Sequence, residues 1–274
     1  MADQTKNAGN IGDIIKHAIV PAVAEVFGHG HPGGWVYAET HAGFYDYPTS
    51  GGWKGEQKRA VGVIEQSGRV AELGPYGRVL ANCLTAGVYP GSIRVVDDSL
   101  ADLPSVIGIY GRDVGDKQVA SFQGRSGRVH VDPGDGYQIA SVLPAAPRLI
   151  LADPFWDAPD ELNRVQRLLG DEPRVIVWYP LSRRSEAFRV WHRDARLYSV
   201  ELTYAYHDAA NGWAGQDQKG AGLAFQGIPT GGFDRAVDLA RILQSIFAGR
   251  TVSYSGGDRD VSLELRVFQG RSGT

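Results

Sequence analysis

The sequence predicts an α/β protein organised around a doubly wound, largely parallel sheet. Near-continuous apolar runs at 35–38, 106–110, 128–131, 148–152 and 174–179 suit strands covered by helices on both faces, because a strand with one wet face alternates instead. Helical patterns fall between several of these runs, notably at 160–169 and 185–196. Alternation of strand and helix is the pattern that builds parallel sheets. The 274 residues carry no internal repeat and no low-complexity linker, so one domain over 1–274 is expected, with a sizeable buried core.

Taken in order, the elements begin with a helix over 10–27. Ile14, Ile15, Ala18, Val20, Ala22, Val23 and Val26 form its broad apolar face, which Pro21 interrupts. A glycine-rich break from Gly28 to Gly34 precedes the first strand. Roughly sixty residues then separate Gly43 from the run at 106–110, where a plain nucleotide-binding unit needs a single short helix. Helical patterns at 55–66 and 71–84 fill that gap, so 45–92 is expected to form a small helical insertion after the first strand, able to act as a substrate arm. Further on, 198–204 and 221–228 read as two strands around a polar, Gly-rich loop. The segment 233–247 reads as an amphipathic helix, and 261–267 alternates like an edge strand.

Composition narrows the class. Apolar residues make up 43% and charged residues 22% of the chain, both ordinary for a globular protein, and the six Trp, twelve Tyr and nine Phe argue against disorder. The 36 glycines, nearly twice the usual share, are scattered through turns without a period. No stretch reaches the ~18 apolar residues of a membrane helix, and 1–10 lacks the apolar core of a signal peptide. A single cysteine, Cys83, sits in an apolar helical stretch that reads as core, and it excludes an intrachain disulfide framework or a Cys-rich zinc site. A cytoplasmic location without a membrane partner is the expectation.

Net charge of −3 and a pI near 6.2 give no overall field toward nucleic acid. A local cluster remains in Arg183, Arg184, Arg189, Arg193 and Arg196. On a helix Arg189, Arg193 and Arg196 would share one face, with Phe188, Trp191 and Ala195 inward. RNA phosphates or plain solvation both account for such a face. His29 and His31 belong to a Gly-rich turn that explains them without a metal, and no metal site is expected.

The sharpest chemical signal is Asp153-Pro154-Phe155-Trp156, directly after the run at 148–152. An acid at the carboxyl end of a central parallel strand stands where open α/β sheets bind ligands. Asp-Pro with a nearby aromatic suits transfer to an exocyclic amine, whose lone pair is delocalised into its ring. A carboxylate and a backbone carbonyl can accept the two N–H bonds and localise that lone pair, while an aromatic face stacks on the base. Asp153, the Pro154 carbonyl and Trp156 are the candidates for these roles; a strand end closed by Asp and Pro is the plainer account. Asp13, Lys16 and His17 would share a polar side of the first helix. In Glu39-Thr40-His41-Ala42-Gly43 the backbone at Gly43 could approach a nucleotide cofactor.

Together, 7–17, 37–43, Tyr89-Pro90-Gly91-Ser92, Asp135-Gly136-Tyr137-Gln138, 149–156, Trp178-Tyr179-Pro180 and 220–225 resemble, in order and spacing, the ribosomal RNA large subunit methyltransferase J family. The resemblance spans nearly the whole chain. It implies a Rossmann-like class I methyltransferase fold, S-adenosylmethionine as cofactor, and methylation of adenine N6 in 23S rRNA as an RNA-binding, rRNA-processing enzyme. By the same resemblance Lys16, His17, His41 and Gly43 would line the cofactor pocket, and Ser92 would meet the methionine end. Asp135 and Gly136 would lie against the cofactor adenine. Asp153 would serve both the cofactor and the target amine.

Two departures stand out. The family's ribose-binding Glu after the second strand corresponds to Tyr110, with Asp113 three residues on as a possible substitute, and Phe155 replaces the second proline of the catalytic loop. These allow a relative acting on a small-molecule amine or biosynthetic intermediate. Loss of the ribose-binding acid also allows a binding module without turnover.

Overall fold

A computed structural model describes residues 8–49, 56–208, 212–213, 220–248, 250–254 and 257–270. Asn7, Gly55 and most of the loop at 209–219 lie outside the described residues. The first half of the chain forms α1 (Ile11–His29), β1 (Trp35–Glu39), β2 (Asp46–Pro48), α2 (Glu56–Ser67), α3 (Pro75–Thr85), β3 (Val88–Pro90), α4 (Ser92–Ser99), β4 (Val106–Asp113), α5 (Asp116–Ala120) and β5 (Val129–Pro133). The second half forms β6 (Arg148–Ala152), α6 (Glu161–Asp171), β7 (Val175–Pro180), α7 (Glu186–Asp194), β8 (Tyr198–Asp208), β9 (Gly212–Trp213), β10 (Gly220–Gln226), α8 (Thr230–Phe247), β11 (Arg250–Tyr254) and β12 (Gly257–Phe268).

The strands make one ten-stranded sheet in the order β11-β12-β8-β10-β7-β6-β1-β4-β5, with β9 paired to β8. From β7 to β5 the neighbours run parallel; from β7 outward to β11 they are antiparallel. This is the Rossmann-like doubly wound arrangement expected from the sequence. The chain leaves β1 toward β4 and β5 on one side, then returns to lay β6 and β7 on the other. The topological switch therefore lies between β1 and β6, and ligands in such sheets bind outside the carboxyl ends of the strands at that point.

Side-chain alternation along the buried strands divides the interior into two cores. Leu149 and Leu151 of β6 join a core with α1 and α8, while Ile150 and Ala152 face a second core with Val165, Leu168 and Phe188 of α6 and α7. All four are fully buried, which is why the strand reads as an unbroken apolar run. Helix α1 is capped at Asn10, whose side chain accepts the Asp13 N–H at 2.9 Å; the Asp13 carboxylate in turn accepts the Gly9 N–H. The helix continues through Pro21. Strands β2 and β3 pair antiparallel, Asp46 opposite Pro90, so the intervening chain enters and leaves at one place. Its helices α2 and α3 pack against α1, with α2 also touching α8.

The structure corrects several boundaries. The helix expected over 71–84 is a 3-10 turn at Val70–Leu73 followed by α3, because Gly74 adopts φ 62° and Pro75 opens a new helix at its first position. The alternating strand at 261–267 is not at an edge: β12 pairs with β8 on one side and β11 on the other. Ala195 lies beyond α7 and is exposed, and His192 takes the inward place instead.

Burial dictates opposite outcomes for two aliphatic residues on neighbouring regions of the sheet. Leu151→Ala should cost about 2–5 kcal/mol in denaturant unfolding, as expected for a large core truncation. Ile107, on β4 but 54% exposed, should lose less than about 1 kcal/mol on the same truncation.

Candidate active site

The ends of β1, β4, β6 and β7 and the start of α1 surround a cavity of roughly 390 Å³. A second of roughly 330 Å³ adjoins it and shares His41, Asp113, Phe155 and Asp157. Both volumes are in the range of small-ligand sites.

A buried charge cluster forms the floor of the larger cavity. Lys16 Nζ donates to Asp153 Oδ2 at 2.5 Å and lies 3.3 Å from Asp13 Oδ1, with the lysine side chain only 8% exposed. Burial pulls Lys16 toward its neutral form, but Asp153 and then Asp13 outweigh it and hold the ammonium charged, well above its ordinary range. Burial, opposed chiefly by Lys16, raises the Asp13 carboxyl. The polar side of the first helix read from sequence is thus an interior surface. Next to it His17 shares a 3.0 Å hydrogen bond with the Tyr89 hydroxyl and stacks on that ring, and burial then Lys16 keep it neutral.

Glu39, the last residue of β1, is a site residue that the sequence reading did not single out. It is fully buried and accepts from Tyr37 at 2.8 Å and from Ser92 Oγ at 2.5 Å. Ser92, which lines the cavity at the start of α4, is therefore held by a carboxyl beneath it. The only signal in the sequence was an acid closing an otherwise apolar strand.

His41 and Gly43 follow β1 at the cavity wall. Burial pushes the His41 imidazole down to about 4, and its Nδ1 lies 2.7 Å from Thr40 Oγ1. The Gly43 N–H donates to Asp113 Oδ2 at 3.0 Å, and the Gly115 N–H to Oδ1 at 2.9 Å. In the smaller cavity Asp135 caps a 3-10 turn and pairs with Arg164, whose guanidinium covers the Tyr137 ring at 4.2 Å. Gly136 packs so tightly that a Cβ there would meet the Thr40 carbonyl oxygen at 1.5 Å. No larger residue fits without moving the chain after β1.

Two of the expected positions are corrected. Tyr110 lies within β4, tilted against His130 at 5.2 Å, and lines neither cavity. The strand runs three residues past the apolar stretch, so the acid at its carboxyl end is Asp113, which lines both cavities. Trp156 does not face the site either. Its φ of 57° turns the indole into the second core, 5% exposed, where Nε1 donates to the Trp178 carbonyl at 3.2 Å and the ring packs 4.9 Å from Phe188. Phe155 takes the outward place, 51% exposed, edge-on to His41 at 6.1 Å. Asp153 and Pro154 both line the larger cavity.

Of the arginine cluster, Arg184 reaches the cavity mouth and pairs with Asp157 at 2.7 Å. Arg193 instead binds buried Glu201 through both carboxylate oxygens at 3.1 Å and covers the Phe268 ring. Among the described residues no group of three or more His, Cys, Asp or Glu is placed to hold a metal ion. No described helix is long and apolar enough to cross a membrane.

No family model and no curated protein matches the chain. Among solved structures, it is similar to protein LPL1258 from Legionella pneumophila, assigned to family model DUF519, at 19% identity and a TM-score of 0.73 over 97% of this chain and 99% of that one. At that identity the likeness is one of fold. The N-terminal domain of human METTL16 in complex with SAH aligns loosely, at 11% identity and TM-score 0.35 over 76% of this chain and 68% of that chain. So does precorrin 8W decarboxylase from Methanobacterium thermoautotrophicum, at 19% identity and TM-score 0.32 over 50% of this chain and 77% of that chain.

Burial raises the Glu39 carboxyl to about 7 against the lowering pull of Ser92, Lys16 and Tyr37. A carboxyl that holds its proton more tightly when folded makes folding stability fall as pH rises from the unfolded value, about 4.5, to about 7, and level off above. Glu39→Gln removes that slope. Denaturant midpoints of variant and wild type should diverge in the variant's favour across this window and run parallel above it. Parallel curves throughout would deny Glu39 the proton.

Proposed function

We propose that the chain is an S-adenosylmethionine-dependent N-methyltransferase acting on the exocyclic N6 of an adenine in 23S rRNA. The observation that carries the reading is Asp153 with Pro154 at the carboxyl end of β6, beside the topological switch and within a cleft of two adjoining cavities. The residues present fit the cofactor. The smaller cavity runs past Thr40, Asp135 and Gly136, and Asp113 at the end of β4 lies between it and the larger one.

In this reading Gly136, Asp135 and Thr40 hold the adenine of the cofactor, Asp113 its ribose, and Ser92, His17, His41 and Gly43 the remainder. When bound, S-adenosylmethionine supplies a methyl carbon made electrophilic by a sulfonium sulfur. The chain's task lies with the acceptor. Asp153 Oδ2 is engaged by Lys16, which fixes the carboxylate and leaves Oδ1 to accept one N–H of the amine. The Pro154 carbonyl accepts the other. Together they draw the nitrogen lone pair out of the ring and aim it, and positioning supplies most of the rate. Phe155 at the mouth offers the flat face for stacking, and Arg184 offers a charge for phosphate. The extra proton of the methylated amine leaves to water.

The test is incubation of the protein with methyl-labelled S-adenosylmethionine and unmodified 23S rRNA, with nucleosides read by mass spectrometry. N6-methyladenosine should form with wild type and be absent with Asp153→Asn, whose calorimetric affinity for S-adenosylhomocysteine stays near wild type. Asp113→Asn should weaken that affinity about tenfold or more, the equivalent of one lost charged hydrogen bond. Wild-type turnover by Asp153→Asn removes the assigned role. Transfer only to a small amine, found in metabolite extracts, moves the acceptor to the alternative class.

A further inference from the structure

One wall of the smaller cavity is held by a chain of side chains that the reaction as described does not use. Arg164 and Glu161 both stand in the first turn of α6, three residues apart, and both grip Tyr137. Buried Glu161 accepts from the Tyr137 hydroxyl at 2.6 Å, and the Arg164 guanidinium lies over the ring, 4.2 Å from its centre. Arg164 then continues to Asp135. Its Nη2 donates to Oδ1, the same oxygen that accepts the Tyr137 N–H at 3.1 Å. Asp135 Oδ2 has no partner among the described residues. The Asp135 side chain is 43% exposed and lines the cavity, as do Glu161 and Arg164.

An ion pair with this much exposure contributes little to stability, so what the network secures is direction. With Oδ1 taken by a guanidinium and by a backbone N–H, the carboxylate is fixed about its bonds, and Oδ2 is the oxygen left to a ligand. A carboxylate only accepts hydrogen bonds. It pairs with an N–H and opposes a carbonyl oxygen, whose lone pairs would face its own. On a purine that is the difference between an amino group and an oxo group at carbon 6, the difference between adenine and hypoxanthine.

We propose that Arg164 is a positioning residue for the cofactor: it holds Asp135 so that Oδ2 accepts the 6-amino group of the adenine, and so gives the site its preference for adenine over hypoxanthine. This rests on the S-adenosylmethionine reading above, which places the adenine at Asp135 and Gly136. It gives a ligand-directed task to α6, whose buried apolar side chains Val165, Leu168 and Leu169 serve the second core.

The experiment is calorimetric titration of the full chain with S-adenosylhomocysteine and with S-inosylhomocysteine, which carries an oxo group in place of the amino group. Wild type should bind the adenine ligand about tenfold or more tightly, because a site built to bond a polar group rejects the analogue lacking it. Arg164→Met keeps the length of the side chain and removes its charge. It should weaken S-adenosylhomocysteine about fivefold or more and leave S-inosylhomocysteine within about twofold of wild type, so the preference shrinks. Arg164→Lys should recover part of the preference through a single ammonium–carboxylate bond. In Asp135→Asn the preference is lost at its source, and adding Arg164→Met should change the ratio no further. Equal losses for both ligands in Arg164→Met would make Arg164 a structural brace alone and overturn the assignment, as would no preference in wild type or an unchanged ratio in the variants. A wild-type chain that binds neither ligand removes the cofactor reading, and the assignment falls with it. Should Arg164→Met fail to fold, Arg164→Gln, shorter and uncharged, is read against the same outcomes.

Discussion

One buried ammonium ties together two parts of the chain that lie far apart in sequence. Lys16 projects from the first helix onto the carboxylate closing the central strand β6, with Asp13 one turn back. Removing such charges from water is costly, and a lysine left with neither carboxylate would be strongly destabilising, whereas Asp13 still answers it if Asp153 alone is lost. The pair therefore fixes the register between helix and strand, because sliding α1 along the sheet would strand a charge in the interior. Everything else in the cleft is referenced to that contact. It sets which carboxylate oxygen of Asp153 is engaged and which is left open. His17, one residue past Lys16, comes to rest against Tyr89 through the same placement.

The neutral groups around the cluster complete its electrostatics. Burial keeps His17 and His41 uncharged, so the lysine is the lone cation among the groups facing Asp153 from α1 and β1. Glu39, fully buried under Ser92, answers it only in part, because its own burial favours the protonated form. The cleft is acidic on balance, with Asp13, Asp113, Asp135, Asp153, Asp157 and Glu161 in its lining against Lys16, Arg164 and Arg184.

The sequence made the parallel half of the sheet readable for a simple physical reason. Strands covered on both faces have no wet side, so 148–152 and its neighbours appear as unbroken apolar runs. Asp153, Pro154, His41 and Gly43 drew notice because they follow strands, where α/β sheets expose backbone to ligands, whereas Ser92 and Gly136 came from the family resemblance alone; all six line the two cavities. The failures have equally local causes. Trp156 was misplaced because a positive φ at a non-glycine residue leaves no trace in residue type, and that one dihedral exchanges the fates of Phe155 and Trp156. Tyr110 was mistaken for the strand's end because β4 continues through the polar Arg112 to Asp113. The position of β12 inside the sheet depends on β11, a partner with no clear pattern of its own.

The packing of α1 against α8 has a bearing on how the molecule comes into being on the ribosome. Helix α1 finds its full seat only once the chain has been made through α8, about 200 residues later. Contacts of such large sequence separation form late and slowly. A chain that stops short of α8 therefore lacks part of the support on which α1, and with it Lys16, rests.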